Sequence, residues 1–194
     1  LLDKDLMVLE KGLVEGRKVY ANMTKYIKMT VSSNFGNIFS LLFASIFLPF
    51  LPMAPIHLIV LNLVYDLSCI ALPFDRVDKD FLKKPRIWEA KSITRFMAWF
   101  GPISSIFDIL TFIILYFVIV PMITGYGYVH GADSAGLFIM LFQTGWFIES
   151  MWSQTMVIYM LRSPKLPFVQ SRPALAVMAT TLLGALFVTF LPYG

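Results

Sequence analysis

Cysteine and charge are both scarce in this chain. Cys69 is the one cysteine in 194 residues, which excludes an internal disulfide framework and any site built from several thiolates. Only 14% of the residues are charged, against roughly 25% in soluble domains. No GxxxxGK loop that would cradle a phosphate is present. The composition therefore argues against a disulfide-linked secreted domain, a multi-thiolate metalloprotein and an ordinary soluble domain.

Apolar residues are abundant instead, at 58% of the chain. They gather into long runs with few or no charges, at 27–50, 56–74, 96–122, 137–161 and 174–191. Each run is close to the 20 residues that a helix needs to cross a hydrocarbon core of about 30 Å. The sequence therefore predicts an all-α integral membrane protein with five transmembrane helices, preceded by an amphipathic segment over residues 1–26.

The basic residues predict how these helices are oriented. All 16 Lys and Arg residues lie in three segments, 4–28, 76–95 and 162–172, which five spans place on the same side of the membrane. The positive-inside rule makes that side, and the N-terminus, cytoplasmic. The same pattern argues against nucleic acid as a partner, because the cations flank apolar runs. The KDFLKKPR stretch could contact anionic lipid or could simply be a solvated loop.

Polar side chains within the first two runs form a candidate cation site. Asn62 and Asp66 are four residues apart and share a helix face, while Asn34 and Asn37 share a face of the preceding helix. A tight PMAP turn predicts that the two helices form a hairpin, so that these faces meet. Carboxylate and amide oxygens are ligands that Mg²⁺ accepts. Each Asn alone is better interpreted as an interhelical hydrogen-bonding group, whereas the Asn62–Asp66 pair favours an ion site.

Two further carboxyl groups lie inside apolar runs, where a charge costs roughly 2.5–3.5 kcal/mol at mid-span. Glu149 is surrounded by polar residues in GWFIESMWSQ and is either an ion ligand or a structural hydrogen-bonded carboxyl. Asp108, in SSIFDIL, has only serines nearby and is interpreted as structural. His57 and His130 lack the spacing of a zinc site. No catalytic residue is predicted.

Several longer strings carry a family resemblance. They are YIKMTVSSNFGN, PMAPIHLIVLNLVYDLSCIALPFDRVDKDFLKKPR, WFGPISSIFDILTF, FQTGWFIESMWSQT and QSRP. Together they resemble the C-terminal membrane region of the bacterial magnesium-transporting branch of P-type ATPases. The resemblance implies that residues 1–26 are the end of the phosphorylation domain and its stalk helix. It also implies that residues 27–194 form membrane helices five to nine of ten.

The resemblance implies a partial site for transported Mg²⁺. By motif match, its ligands are Asn34, Asn37, Asn62, Asp66 and Glu149. Calcium pumps have a carboxylate at the position of Asn37, so fewer anionic ligands are available here. A single, partly hydrated Mg²⁺ suits such a site, because Mg²⁺ keeps several of its waters.

The family's DKTGT phosphorylation loop and its nucleotide-binding residues do not occur in this sequence. The resemblance thus implies that ATP binds in a missing N-terminal part of the same pump, and that this segment alone is inactive. The expected function is Mg²⁺ import across the bacterial inner membrane, carried by the complete pump. The alternative is a non-enzymatic membrane scaffold or a small secondary transporter that uses the same polar faces.

Overall fold

The computed structural model describes residues 6–83, 90–163 and 168–193, and no β-strand occurs in these ranges. The α-helices there are α1 (Leu6–Phe47), α2 (Pro55–Cys69), α3 (Lys79–Leu82), α4 (Ala90–Ile114), α5 (Val120–Thr124), α6 (Ala135–Leu161) and α7 (Leu175–Phe190). Short turns of other helix types follow α2, join α4 to α5, and follow α7. The predicted all-α class is confirmed. Lys4, Lys84, Arg86 and Lys165, which were used to predict the orientation, lie outside the described residues.

Helix length and composition support a membrane location. Three described segments are long and apolar enough to cross a bilayer: Leu6–Phe47, Pro55–Phe74 and Ala90–Thr124. Helix α6 has 27 residues, which is also sufficient at roughly 1.5 Å per residue. Helix α7 has 16, about 24 Å, against a core of about 30 Å. The total of five spans therefore stays a prediction.

Helix α1 is one continuous helix of 42 residues. It runs without a break past the predicted boundary at residues 26 and 27 and ends at Phe47, because Pro49 disfavours helical backbone in the residue before it. Helix α4 begins at Ala90, whereas the predicted span begins at residue 96, and it continues through Pro102. The charged lead-in of α1 and its apolar run thus form a single continuous helix.

The packing order differs from the predicted hairpin. Helix α1 packs mainly along α4, and α2 mainly along α7. Glycine permits the first of these contacts, since a Cβ at Gly101 would lie 2.3 Å from the Phe35 ring. The Ser105 hydroxyl also donates to the Gly36 carbonyl oxygen at 3.1 Å. Helix α6 contacts α1, α2, α4 and α7 and forms the centre of the bundle.

Candidate ion site and the charged end of the bundle

One predicted ligand, Asn37, is fully inside the bundle. Its side-chain oxygen accepts a hydrogen bond from Gln154 Nε2 of α6 at 3.1 Å, and the same Nε2 lies 3.3 Å from Ser150 Oγ. Both amide side chains are buried, each 5% exposed. Asn37 Nδ2 and Gln154 Oε1 have no hydrogen-bond partner among the described residues. The pair therefore offers one free donor and one free acceptor at the junction of α1 and α6.

The other ligands predicted on α1 and α2 face outward from this chain. Asn34 and Asp66 are exposed, and Asn62 is half-buried. Asp66 Oδ1 accepts a hydrogen bond from the Tyr26 hydroxyl at 3.3 Å. Polar groups on the outside of a membrane bundle are costly unless another element covers them. Their exposure fits a site that is completed by polypeptide other than the described residues.

Glu149 lies on a different side of α6 from the Asn37 contact. It is half-buried, and its carboxyl lies near Thr111 and Asp108 of α4. Among the described residues, no hydrogen bond joins any two of the five predicted ligands. No cluster of three or more His, Cys, Asp or Glu side chains suited to a metal is found there either. The structure thus brings Asn37 to Gln154, and Glu149 to α4.

Three helices nevertheless pack against one another close to Asn37. Met29, Tyr65 and Ile158 pack in one buried cluster, and they come from α1, α2 and α6 respectively. Met29 lies about two turns before Asn37 on α1, and Ser33 lies between them. The hydroxyls of Ser33 and Tyr65 are buried without a partner in the described part of the chain. Unpaired polar atoms in a membrane interior indicate a place that water or an ion can occupy.

Sequence reasoning did not single out Gln154 as a contact of the site. Its spacing in ESMWSQ gave it only as a neighbour of Glu149. The usable signal was a second helix face: Ser150, Gln154 and Ile158 are four residues apart in turn, and all are buried.

Removing the Gln154 amide tests this contact. We expect Gln154→Leu and Asn37→Leu each to destabilise the membrane region, with a coupling free energy of about 0.6 kcal/mol and at most about 1.7 kcal/mol, as for interhelical hydrogen bonds in membranes. A double-mutant cycle on the full-length protein measures this coupling. Strictly additive effects of the two substitutions would contradict the contact.

A second polar cluster, which we call the charged end, consists of Asn22, Lys25, Asp75, Asp78 and Arg162. Asp75 lies at its centre. Its Oδ2 accepts from Arg162 Nε at 3.0 Å and from Lys25 Nζ at 3.2 Å, and its Oδ1 accepts from the Ala174 backbone N–H at 3.1 Å. The side chains of Asp75 and Arg162 are 0% and 1% exposed. Through these contacts Asp75, in the loop after α2, links α1 and the residue before α7 to the end of α6.

The remaining contacts of the charged end attach it to the loop after α2. Asn22 Nδ2 donates to the carbonyl oxygens of Pro73 at 2.9 Å and Asp75 at 3.0 Å. Arg162 Nη1 donates to the Ser171 carbonyl oxygen at 2.8 Å, and Ser163 Oγ donates to Asp78 Oδ2 at 2.5 Å. Further out, Arg17 Nη1 reaches the Leu82 carbonyl oxygen at 2.7 Å. Helix α1, the loop after α2, the end of α6 and the segment before α7 are therefore each held by at least one contact with a charged or amide side chain.

The sequence reading treated Lys25 and Arg162 only as cations that set the membrane orientation. Because both side chains are largely buried and pair with Asp75, they also stabilise the packing of the helices. Burial by itself raises the pKa of Asp75, but the Ala174 N–H, Lys25 and Arg162 outweigh it, so the pKa lies below its ordinary value. At Lys25, by contrast, desolvation is the dominant effect. It lowers the pKa of Lys25 despite the attraction of Asp75. Asp75 is thus ionised at neutral pH.

The comparisons with known proteins agree with these features. The family model described as "Cation transporting ATPase, C-terminus" matches residues 50–194. The "Magnesium-transporting ATPase, P-type 1" of Salmonella typhimurium strain LT2 is 50% identical over the whole chain. The protein of the same name from Escherichia coli K12 is 48% identical over the whole chain. The "Calcium-transporting ATPase" of Bacillus subtilis strain 168 is 34% identical over 60% of the chain and 14% of its own length.

The chain spans about one fifth of the length of the two magnesium-transporting relatives, since the aligned part is 20% of each. The matched model covers most of the chain, and the long apolar helices suit the membrane region of such a protein. The predicted resemblance to P-type ATPases is therefore confirmed, and the chain belongs to the family of cation-transporting ATPases, of which it represents the C-terminal membrane region.

Proposed function

We propose that this chain is the ion-binding membrane region of an ATP-driven importer of Mg²⁺. The observation that carries the proposal is the 50% identity over the whole chain to a magnesium-transporting ATPase. A calcium-transporting relative is less similar, at 34% over a shorter stretch. Relatives that are about five times as long disfavour the alternative of a small scaffold or secondary transporter.

The proposed site uses oxygen atoms from α1, α2 and α6. Its ligands are Asn34, Asn37, Asn62, Asp66 and Glu149, and Gln154 is placed beside Asn37. Asp66 is the carboxylate on the outward-facing side, where further helices of a larger protein would supply the remaining ligands. A set rich in amides and poor in carboxylates suits a partly hydrated Mg²⁺.

The partner in this proposal is the N-terminal part of the same pump. That part would bind ATP and carry the phosphorylation loop, neither of which this sequence contains. Helix α1 connects the two, because a continuous helix of 42 residues is about 63 Å long and transmits a displacement of its first turns to Asn37. The two discrete positions of α1 that such coupling needs are part of the proposal.

We further propose five spans in the bacterial inner membrane, with the N-terminus and the charged end on the cytoplasmic side. The positive-inside rule supports this orientation. Lys28, near the charged end, would then lie close to anionic lipid headgroups or the cytoplasm. The chain alone would neither hydrolyse ATP nor transport Mg²⁺.

Asp66→Asn in the full-length protein tests the site. We expect the Mg²⁺ concentration for half-maximal flux to rise on the order of tenfold, equivalent to about 1.4 kcal/mol, because a charged ligand becomes a neutral one. ATP-driven Mg²⁺ flux across proteoliposome membranes measures it at a fixed MgATP concentration. Asp133→Asn, at an exposed position in the loop before α6, is the matched control. Equal flux curves for Asp66→Asn and the unmodified protein would refute the assignment.

A further inference from the structure

The described residues supply one hydrogen bond to the carboxyl group of Asp66, and it comes from a tyrosine of α1. The Tyr26 hydroxyl donates to Asp66 Oδ1 at 3.3 Å. Asp66 takes part in none of the ion pairs between described residues, so no basic side chain there competes with a bound cation. Tyr26 thus holds one carboxyl oxygen and leaves the other, Oδ2, available to a ligand.

Tyr26 lies on the helix that carries two other proposed ligands of Mg²⁺. Tyr26, Asn34 and Asn37 all belong to α1, which is one continuous helix. Asp66 belongs to α2, which packs mainly along α7. Within the described ranges, the Tyr26–Asp66 contact is the one side-chain hydrogen bond that joins α1 to α2. It therefore sets the position of the Asp66 carboxyl group relative to the ligands of α1.

The turn of α1 around Tyr26 is anchored by other contacts as well. Lys25 pairs with Asp75 at 3.2 Å, and Asn22 donates to the Pro73 carbonyl oxygen at 2.9 Å. Both partners follow α2 in the sequence, so the segment after α2 stays attached to α1 without the Tyr26 hydroxyl. Tyr26 is itself 36% exposed, and Tyr26→Phe therefore removes a hydrogen bond without leaving a buried cavity.

The chemistry of the phenol suits a group that orients a metal ligand. Carboxylates that bind metal ions are commonly held by hydrogen-bond donors, and loss of such a donor typically costs 10–100-fold in metal affinity or activity. A tyrosine hydroxyl donates one hydrogen bond and carries no charge at neutral pH. It therefore orients a carboxylate without the repulsion that a lysine or arginine would exert on Mg²⁺.

We propose that Tyr26 is a positioning residue of the Mg²⁺ site, whose hydroxyl holds Asp66 Oδ1 so that Oδ2 is presented to the ion. The role rests on the proposed function, because Asp66 is a ligand only there. It adds a group on α1 that acts on a ligand of α2. A displacement of the first turns of α1 then reaches Asp66 as well as Asn37.

Mg²⁺ binding to the full-length Tyr26→Phe variant tests the proposal. We expect the dissociation constant, measured by isothermal titration calorimetry without nucleotide, to rise about tenfold. The Mg²⁺ concentration for half-maximal flux should rise with it, while the flux at saturating Mg²⁺ changes less. Unchanged binding would overturn the proposal. Tighter binding would also overturn it, because it would mean that the hydroxyl withholds Asp66 from the ion.

A readout of helix packing separates positioning from a general structural role. Cys69 is 2% exposed and lies three residues after Asp66 on α2, so its alkylation reports local opening. We expect the same alkylation rate in Tyr26→Phe and the unmodified protein, because the contacts of Lys25 and Asn22 remain. Weaker Mg²⁺ binding accompanied by faster Cys69 alkylation would assign Tyr26 a structural role and contradict the proposal.

Tyr159→Phe is the matched control, because it also removes a tyrosine hydroxyl that joins two helices. The Tyr159 hydroxyl shares a hydrogen bond with the Thr181 hydroxyl, between α6 and α7. Neither residue contacts Asp66 through a hydrogen bond, so we expect an unchanged dissociation constant for Mg²⁺. An equal loss of affinity in Tyr159→Phe and Tyr26→Phe would show that the effect does not act through Asp66.

Asp66→Ala distinguishes failure of this proposal from failure of the Mg²⁺ site. If Asp66→Ala weakens Mg²⁺ binding and Tyr26→Phe adds nothing in that background, both proposals are supported. If Asp66→Ala weakens binding but Tyr26→Phe alone does not, or if the two effects are strictly additive, only the role of Tyr26 is wrong. If Asp66→Ala leaves binding unchanged, the ligand assignment itself is wrong, and the role of Tyr26 fails with it.

Discussion

Arg162→Met is expected to destabilise the membrane region by about 3–5 kcal/mol, the cost of breaking a buried ion pair by removing one partner. The substitution leaves Asp75 inside the bundle with less compensation, and it removes the donor that Arg162 supplies to the Ser171 carbonyl oxygen. Lys25 and the Ala174 N–H still contact Asp75, which places the expected loss near the lower end of this range.

Alkylation of Cys69 measures the effect, because this thiol is 2% exposed in the folded protein and reacts only when the region opens. Mass spectrometry of the full-length protein isolates the Cys69 peptide. A loss of about 3 kcal/mol corresponds to an increase of roughly a hundredfold in the alkylation rate where opening and closing are fast.

Lys18→Met is the matched control for Arg162→Met. Lys18 pairs with Glu15 at 2.6 Å, but the two side chains are 43% and 65% exposed. Exposed pairs contribute little to stability, so we expect no measurable change in Cys69 alkylation. Equal effects of the two substitutions would contradict the structural role of the buried pair.

The charged end also has a defined pH dependence. Since the folded pKa of Asp75 is lower than its ordinary value of about 4, ionised Asp75 stabilises the protein fully above that ordinary value. The stabilisation is lost as the pH falls through the folded pKa. The difference in Cys69 alkylation between the unmodified protein and Asp75→Asn should therefore be constant near neutral pH and shrink in acid.

Gly184→Ala is expected to have the second largest effect, about 1–3 kcal/mol of destabilisation from overpacking. A Cβ at this position of α7 would lie 2.1 Å from Ser68 Oγ and 3.1 Å from Met151 Cε. The Ser68 hydroxyl cannot move freely, because it donates to the Val64 carbonyl oxygen at 2.7 Å. The contact between α2 and α7 must therefore open.

Gly136→Ala provides the control, because Gly136 is also helical and a Cβ there would meet no atom within 4 Å. Alanine is better than glycine inside a helix by roughly 0.5–1 kcal/mol, so this substitution should be neutral or slightly stabilising. Cys69, next to Ser68 in α2, again reports the local opening. If both alanine variants left Cys69 equally protected, the close approach of α2 and α7 would be wrong.

Much of the architecture could be predicted, because length and local composition control it. The apolar runs predicted the membrane class, and prolines marked where α1 ends and α2 begins. The packing order of the helices could not be predicted in this way. Asn34 and Asn37 were expected to meet the next helix because a short turn joins the two, yet α1 packs mainly along α4. Glycine at 101 allows that approach, and its fit depends on Phe35, which is far away in the sequence.

The candidate site, too, could be predicted from the sequence only in part. Asn62 and Asp66 could be paired from their spacing alone, since four residues make one helical turn. The partner of Asn37 could not be found, because Gln154 is separated from it by 117 residues and belongs to a helix with polar residues on more than one face. Arg162 had the same difficulty, as a cation at the end of a span looks identical whether it is buried or solvated.

The sequence by itself determined the membrane class, the family and the residue types from which a cation site can be built, because these follow from composition and from patterns within a single helix. Only the tertiary structure decided that Asp75 and Arg162 form a buried ion pair, and that Asn37 meets Gln154. Burial and the identity of a neighbouring side chain depend on how separate helices pack. In a low-dielectric interior, those two properties decide whether a polar residue pairs with another side chain or stays available for a ligand.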